Sequence, residues 1–162
     1  MAYVIRPFDS DDAATLCAIF ATAVTQIGPR AYDQRQVSAW AARGLDADSY
    51  KRRVSSGHVI FVAADGCNLA VGYILVEPDG HVDHLYRHPD YSHRGIADQL
   101  LATAEHYARA CGIRRLYAEA SDPARSAFER AGYQLMRKRE FTIAHKDRDV
   151  PIHNWATEKW LR

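Results

Sequence analysis

The chain has 162 residues, with 21 Lys and Arg against 20 Asp and Glu and a formal net charge of +1. That balance provides no long-range field for nucleic acid or an anionic membrane, so any affinity for anions must be local. At 48% apolar and 25% charged residues the composition is that of a globular protein, and no stretch approaches the roughly 18 apolar residues of a membrane span. A single domain over 1–162 is expected, and a domain of this length buries roughly 70% of its unfolded surface. The N-terminus lacks the charged-then-apolar form of a signal peptide, and the cysteines, Cys17, Cys67 and Cys111, are odd in number with no CxxC pair. This argues against a disulfide framework or a zinc site and for a reducing compartment, the cytoplasm. Cys17 and Cys111 are read as small core residues on apolar helix faces.

Tyr3-Val4-Ile5-Arg6 opens the chain as a strand, and Ser10-Asp11-Asp12 offers N-cap chemistry to a helix carrying Leu16, Ile19, Phe20 and Val24 until Gly28-Pro29. Helices are predicted over 32–43, with Val37 and Trp40 on one side, and over 46–55. Next come strands over 58–64 and 70–76, joined by the hairpin signal Asp65-Gly66-Cys67-Asn68. A third strand, His81 to Arg87, follows the turn Glu77-Pro78-Asp79-Gly80, so these three form an antiparallel meander.

After that strand lie the turn signal His88-Pro89-Asp90 and the basic loop Tyr91-Ser92-His93-Arg94-Gly95. Ile96, Ala97, Leu100, Leu101, Ala104 and Ala108 then recur at helical spacing. A loop of this kind leaves unpaired backbone N–H groups at a helix start, and Gly95 lets another group come close. With His93 and Arg94 these donors suit a phosphate or pyrophosphate. Leu116 to Ala120 is the next strand, and the intervening crossover makes it parallel to the strand before the loop. Asp122-Pro123 starts a short helix ending at Arg130, before Ala131-Gly132-Tyr133. Two final strands, 134–143 and 150–160, face each other across Lys146-Asp147-Arg148-Asp149, and Arg137-Lys138-Arg139 is read as a solvated strand face.

This order of elements resembles the GNAT superfamily of acetyl-CoA-dependent N-acetyltransferases. The likeness is carried by Leu85-Tyr86-Arg87-His88-Pro89-Asp90-Tyr91 with Arg94-Gly95-Ile96-Ala97, by Leu100-Leu101 with Ala104-Glu105, and by Ala127-Phe128-Glu129-Arg130-Ala131-Gly132-Tyr133. The resemblance implies an α/β domain of three layers, with a central, mostly antiparallel sheet of about seven strands flanked by helices. It also implies direct transfer of an acetyl group from acetyl-CoA to a primary amine. By position it assigns cofactor contacts to Leu85, Tyr86, Arg87, Ser92, His93, Arg94, Gly95, Ile96, Ala97, Asp98, Ser121, Ala124, Phe128 and Arg130. Ser92 stands where the family usually has Gln or Arg, which shifts pyrophosphate binding toward backbone N–H groups. Phe128 stands where many members carry a tyrosine that protonates the leaving thiolate, and phenylalanine has no proton to give. Transfer of another acyl group, or a non-catalytic acyl-CoA-binding domain, are the alternative readings.

For the general base, strand alternation puts His81, Asp83, Leu85 and Arg87 on one face and Val82, His84, Tyr86 and His88 on the other. His81 titrates near neutrality, whereas Asp83 would need a raised pKa or an intervening water; both are candidates. Tyr32 and Trp40 are candidates for the acceptor wall, against a core role for the same spacing. His81, His84, His88 and His93 are divided between faces and loop, so no metal site is expected. The partners expected are an amine acceptor, small or protein, and no nucleic acid or membrane, with the protein a monomer or homodimer.

Overall fold

The structure, a computed structural model, describes residues 2–162. It contains seven strands and five α-helices: β1 (Val4–Pro7), α1 (Ala13–Ile27), α2 (Gln34–Ala41), α3 (Ala47–Ser55), β2 (Val59–Ala64), β3 (Ala70–Val76), β4 (Val82–Arg87), α4 (Ile96–Ala110), β5 (Arg115–Ala120), α5 (Asp122–Arg130), β6 (Gln134–His145) and β7 (Arg148–Trp160). No helix among the described residues is long and apolar enough to cross a membrane.

The helix starts follow the acidic signals. Asp33 caps α2 in a reciprocal box with Gln36, and the Asp46 carboxylate accepts from the Ser49 N–H at the start of α3. Asp12 leads into α1, where the Arg6 guanidinium donates to both its oxygens at 2.8 and 2.9 Å. The second helix is shorter than the predicted 32–43, because its box sits on Asp33 and the chain leaves the helix at Ala42.

Every residue of β3 is buried, the pattern of a strand covered on both faces. On one face β3 meets α1 and α3 through Leu16, Ile19 and Tyr50. On the other it meets α4 through Ile96, Leu100, Leu101 and Ala104. Cys111 is corrected: it is exposed at the C-cap of α4, where the helix has already turned its apolar face away, and Cys17 is only half-buried.

The strands divide into an antiparallel sheet of order β1-β2-β3-β4 and another of order β5-β7-β6. The predicted parallel neighbours, β4 and β5, meet at one bridge, His81 opposite Tyr117, where the Tyr117 N–H donates to the Gly80 carbonyl at 3.1 Å. Gly80 makes that approach possible. Its φ is +98°, and a Cβ there would lie 2.0 Å from the Arg115 carbonyl oxygen. Beyond the bridge no ladder joins the two strands.

One irregularity in β4 matters for the site. Leu75 pairs with His84 but Val76 pairs with Val82, so Asp83 is the extra residue of a bulge. The predicted alternation therefore fails at that point, and Asp83 and His84 do not point to opposite sides.

Gly80→Ala should lower unfolding free energy by about 2 kcal/mol or more, since both the backbone angle and the close contact oppose it. Gly66→Ala, where a Cβ meets nothing within 4 Å, should change it by less than about 0.5 kcal/mol. Urea denaturation of the two variants beside the parent measures the difference.

Candidate active site

The gap between β4 and β5 holds two adjoining cavities. Just past the end of β4 the His88 N–H donates to the carbonyl of Val71 in β3 at 2.8 Å. Antiparallel pairing alternates, so His88 and Tyr86 turn their backbone groups to β3 while Leu85 and Arg87 turn theirs into the gap. With no strand opposite, those groups are available to a ligand.

The chain then turns through Pro89–Tyr91 into the basic loop and α4. His93 and Gly95 both take left-handed backbone angles, φ 59° and 74°, which folds successive N–H groups toward one side. Gly95 is the N-cap of α4 and provides no side chain to cap it. Among the described residues, the N–H groups from His93 to Asp98 find no acceptor within the protein. The Tyr3 hydroxyl holds the loop by donating to the Arg94 carbonyl at 3.1 Å, and the Arg94 guanidinium lies 5.0 Å from the Tyr91 ring centroid.

This loop, the gap side of β4 and the start of α5 line a groove of about 460 Å³. All the residues assigned to the cofactor line it except Ser92 and Phe128. The Ser92 hydroxyl instead donates to the Pro89 carbonyl at 2.6 Å and accepts from Arg87, so it fixes the loop from behind. Arg30, Arg87, Arg94 and Arg130 bring positive charge to the groove. Burial, then the charge of Arg30, holds the Arg87 pKa below its ordinary value.

The second cavity, about 560 Å³, continues across Trp40, Leu85, Tyr86, Ser121 and Ala124, which line both. Its wall includes Phe20, Tyr32, Phe128, Phe141 and Ile143; its charged groups are Arg43, Arg53, Asp83, Glu119 and Arg139. Arg53 Nη1 lies 3.0 Å from Asp83. Behind the wall runs a buried chain of hydrogen bonds: Tyr50 Oη to Tyr73 Oη at 2.6 Å, and Tyr73 Oη to His84 Nδ1 at 2.9 Å. His84 Nε2 is 3.7 Å from Asp83 Oδ2. Burial pushes the His84 pKa well down; Asp83 opposes this, and the charges of Arg53 and His81 add to it, so the imidazole is neutral at pH 7.

A groove with a row of free amides, joined to a mixed polar and aromatic cavity, fits a two-substrate reaction with one phosphorylated partner. The family model of the acetyltransferase (GNAT) domain matches residues 29–145. The chain belongs to the GNAT acetyltransferase family. It is similar to the uncharacterized N-acetyltransferase YafP of Escherichia coli, 32% identical over 134 residues and 83% of each chain. It also resembles the crystal structure of a GCN5-related N-acetyltransferase of Rhodopseudomonas palustris, with TM-score 0.86, 29% identity and coverage of 99% and 97%. The PaiA N-acetyltransferase of Thermoplasma acidophilum, solved with coenzyme A, shares the fold at TM-score 0.78 and 16% identity, covering 99% and 100%. The protein is thus an acyltransferase, and the family's acetyl donor is acetyl-CoA.

Within this GNAT fold several predicted residues sit differently from expectation. His81 lines neither cavity. Its Nε2 is bound by Glu119 and its Nδ1 lies 3.2 Å from Glu77. Burial disfavours its charge, but the hydrogen bond and charge of Glu119, with those of Glu77, outweigh that and push its pKa up to about 9. A histidine protonated at pH 7 has no free lone pair for the amine proton, and this environment weighs against His81 and toward Asp83, the other candidate base. Tyr32 is buried, and its hydroxyl donates to the His153 carbonyl at 3.0 Å and accepts from the Asp122 N–H at 3.1 Å, so only its ring faces the cavity. Trp40 is half-buried at the junction. Arg139 is not on a solvated face: it lines the second cavity. His84, Glu119 and Arg43 were not foreseen, and nothing in their sequence neighbourhoods marks them. Glu77, His81 and Asp83 bring ligand atoms within 4.8 Å of one another. Arg53 lies 3.5 and 3.0 Å from the two carboxylates, so a guanidinium already occupies that acidic pair.

The His81 pair has a stability signature. The folded pKa, about 9, lies above the ordinary value of 6.5, so its contribution is complete below pH about 6.5 and is lost as pH rises through about 9. The shift corresponds to on the order of 3 kcal/mol. Unfolding free energy should fall across that window, and His81→Gln should flatten the fall; urea titrations at closely spaced pH values test it.

Proposed function

We propose that the protein transfers an acetyl group from acetyl-CoA directly to a primary amine, with the donor in the groove and the acceptor in the second cavity. The observation that carries this reading is the run of unpartnered N–H groups from His93 to Asp98 opening onto the groove. Those amides and the α4 N-terminus take the pyrophosphate, and Arg87, Arg94 and Arg30 add charge. The gap-facing backbone of Leu85 and Arg87 takes the amide-bearing arm, placing the thioester where the two cavities meet. When bound, the thioester supplies an activated acyl carbon. A backbone N–H of β4 at that junction stabilises the charge developing on its carbonyl oxygen.

Asp83 is the base. It lines the acceptor cavity, whereas His81 is withdrawn and already protonated. Asp83 takes the ammonium proton directly or through a water, and the resulting neutral amine is the nucleophile. His84, neutral and tied to Tyr73, keeps a second positive charge away from that carboxylate. With Phe128 unable to donate, Ser121 and Tyr86 are the hydroxyl-bearing residues that line both cavities.

Two measurements test the scheme. Calorimetric titration with acetyl-CoA should register binding, and Gly95→Val, which forces a β-branched residue into the left-handed region, should weaken it by about tenfold or more. Thiol release with an amine panel should show turnover, and Asp83→Asn should lower kcat by about 100-fold while leaving acetyl-CoA affinity within about twofold. Absence of binding to the parent would overturn the whole reading. Binding with no turnover on any amine would leave a binding domain and no transferase of amines.

A further inference from the structure

We propose that the acceptor carries an anionic group, in its simplest form a carboxylate, on the same molecule as the amine. The inference rests on the acyl-transfer reading and names the chemistry of the second substrate.

The acceptor cavity is lined by three arginines, Arg43, Arg53 and Arg139, and two carboxylates, Asp83 and Glu119. Both carboxylates are already answered from inside the protein. Arg53 lies 3.0 Å from Asp83, and Glu119 is bonded to His81, whose charge it shares with Glu77. Arg43 and Arg139, in contrast, have no carboxylate within 4.0 Å among the described residues. Arg139 is nonetheless held in place. Its Nη1 donates to Asn154 Oδ1 at 3.1 Å, and its guanidinium carbon lies 5.5 Å from the Phe141 ring centroid. Asn154 and Phe141 orient this guanidinium, and Glu119, which feels its charge, is bonded to His81 and makes no ion pair with it, so the guanidinium can meet an anion.

The same charges constrain what can enter. A simple alkylammonium brings a further positive charge into a cavity whose own positive groups exceed its negative ones, and it is repelled. A carboxylate on the acceptor reverses that balance, pairing with Arg139 and Arg43 while the amine faces Asp83. The positive surroundings then favour the neutral amine over the ammonium, which is the form that attacks. Phe20, Trp40 and Phe141 on the wall suit an apolar or aromatic body between the two ends.

Matched acceptors decide it. Thiol release at saturating acetyl-CoA is compared for phenylalanine and phenethylamine, and for 4-aminobutyrate and butylamine. In at least one pair the carboxylate member should have a kcat/KM higher by about tenfold or more, mainly through KM. Arg43→Met, which removes a side chain with no hydrogen bond of its own, and Arg139→Met should each reduce that ratio by about tenfold, and Arg139→Lys should restore part of it. Equal or better turnover of the decarboxylated partners, or a ratio the variants leave unmoved, overturns the proposal. If no amine of either kind is turned over, the acyl-transfer reading fails. The anion subsite is then judged by calorimetry with 3-phenylpropionate, where binding lost in Arg43→Met supports it and no binding to the parent overturns it.

Discussion

Strands β4 and β5 are joined at one end only, by the Tyr117 N–H on the Gly80 carbonyl, and the functional surface follows from that single attachment. Had the ladder continued, the gap-side N–H and C=O groups of Leu85 and Arg87 would be spent on β5, as a sheet interior requires. Because the strands part, a buried edge is left open, and an open edge in a protein interior must be answered by water or a ligand. The parting also places the next segment. The loop after β4 delivers the α4 N-terminus to the mouth of the same gap, so free amides of two kinds, from a strand edge and from a helix start, line one groove. The antiparallel pairing of β3 and β4 and the burial of both faces of β3 hold this arrangement against the core.

What was legible in the sequence is what depends on neighbours in the chain. The strand, turn, basic loop and helix from His81 to Ala110 are contiguous, so their hydrophobic period, the Pro89-Asp90 turn and Gly95 together mark out the first groove. The residues placed there by resemblance fall on it except for Ser92 and Phe128. The second cavity was much less legible. It is assembled from the α2–α3 connection, β4, β5, β6 and β7, whose residues share no local pattern. Arg139 has the sequence context of a solvated strand, and only the fold turns it inward.

The surroundings of the two candidate bases, His81 and Asp83, differ from the sequence reading for two physical reasons. Alternation along β4 assumes an unbroken ladder, and the bulge at Asp83 breaks it, bringing His84 to the same cavity as Asp83. The second cause is convergence. Glu77 and Glu119 are distant in the chain from each other, and only in the fold do they reach the two nitrogens of His81. A histidine that by its intrinsic pKa suits proton transfer is instead held in its protonated form at neutral pH. His84, close by in sequence, is driven the opposite way by burial and stays neutral. Adjacent imidazoles thus take opposite charge states from their surroundings alone.

These charge states bear on a difficulty inherent to the reaction. An alkylamine arrives from water as an ammonium, yet only its neutral form can attack an acyl carbon. A cavity rich in carboxylates would bind the ammonium well and hold it in the unreactive form. Here Asp83 is tempered by Arg53, Glu119 by His81, and the histidine closest to Asp83 is kept uncharged by burial and by Tyr73. In the proposed scheme the cavity provides one carboxylate to take the proton while its surplus of guanidinium charge opposes the ammonium form. Such a site gives up binding to the amine group itself, and the affinity must come from elsewhere on the acceptor. The aromatic wall and the oriented Arg139 are the groups available to supply it.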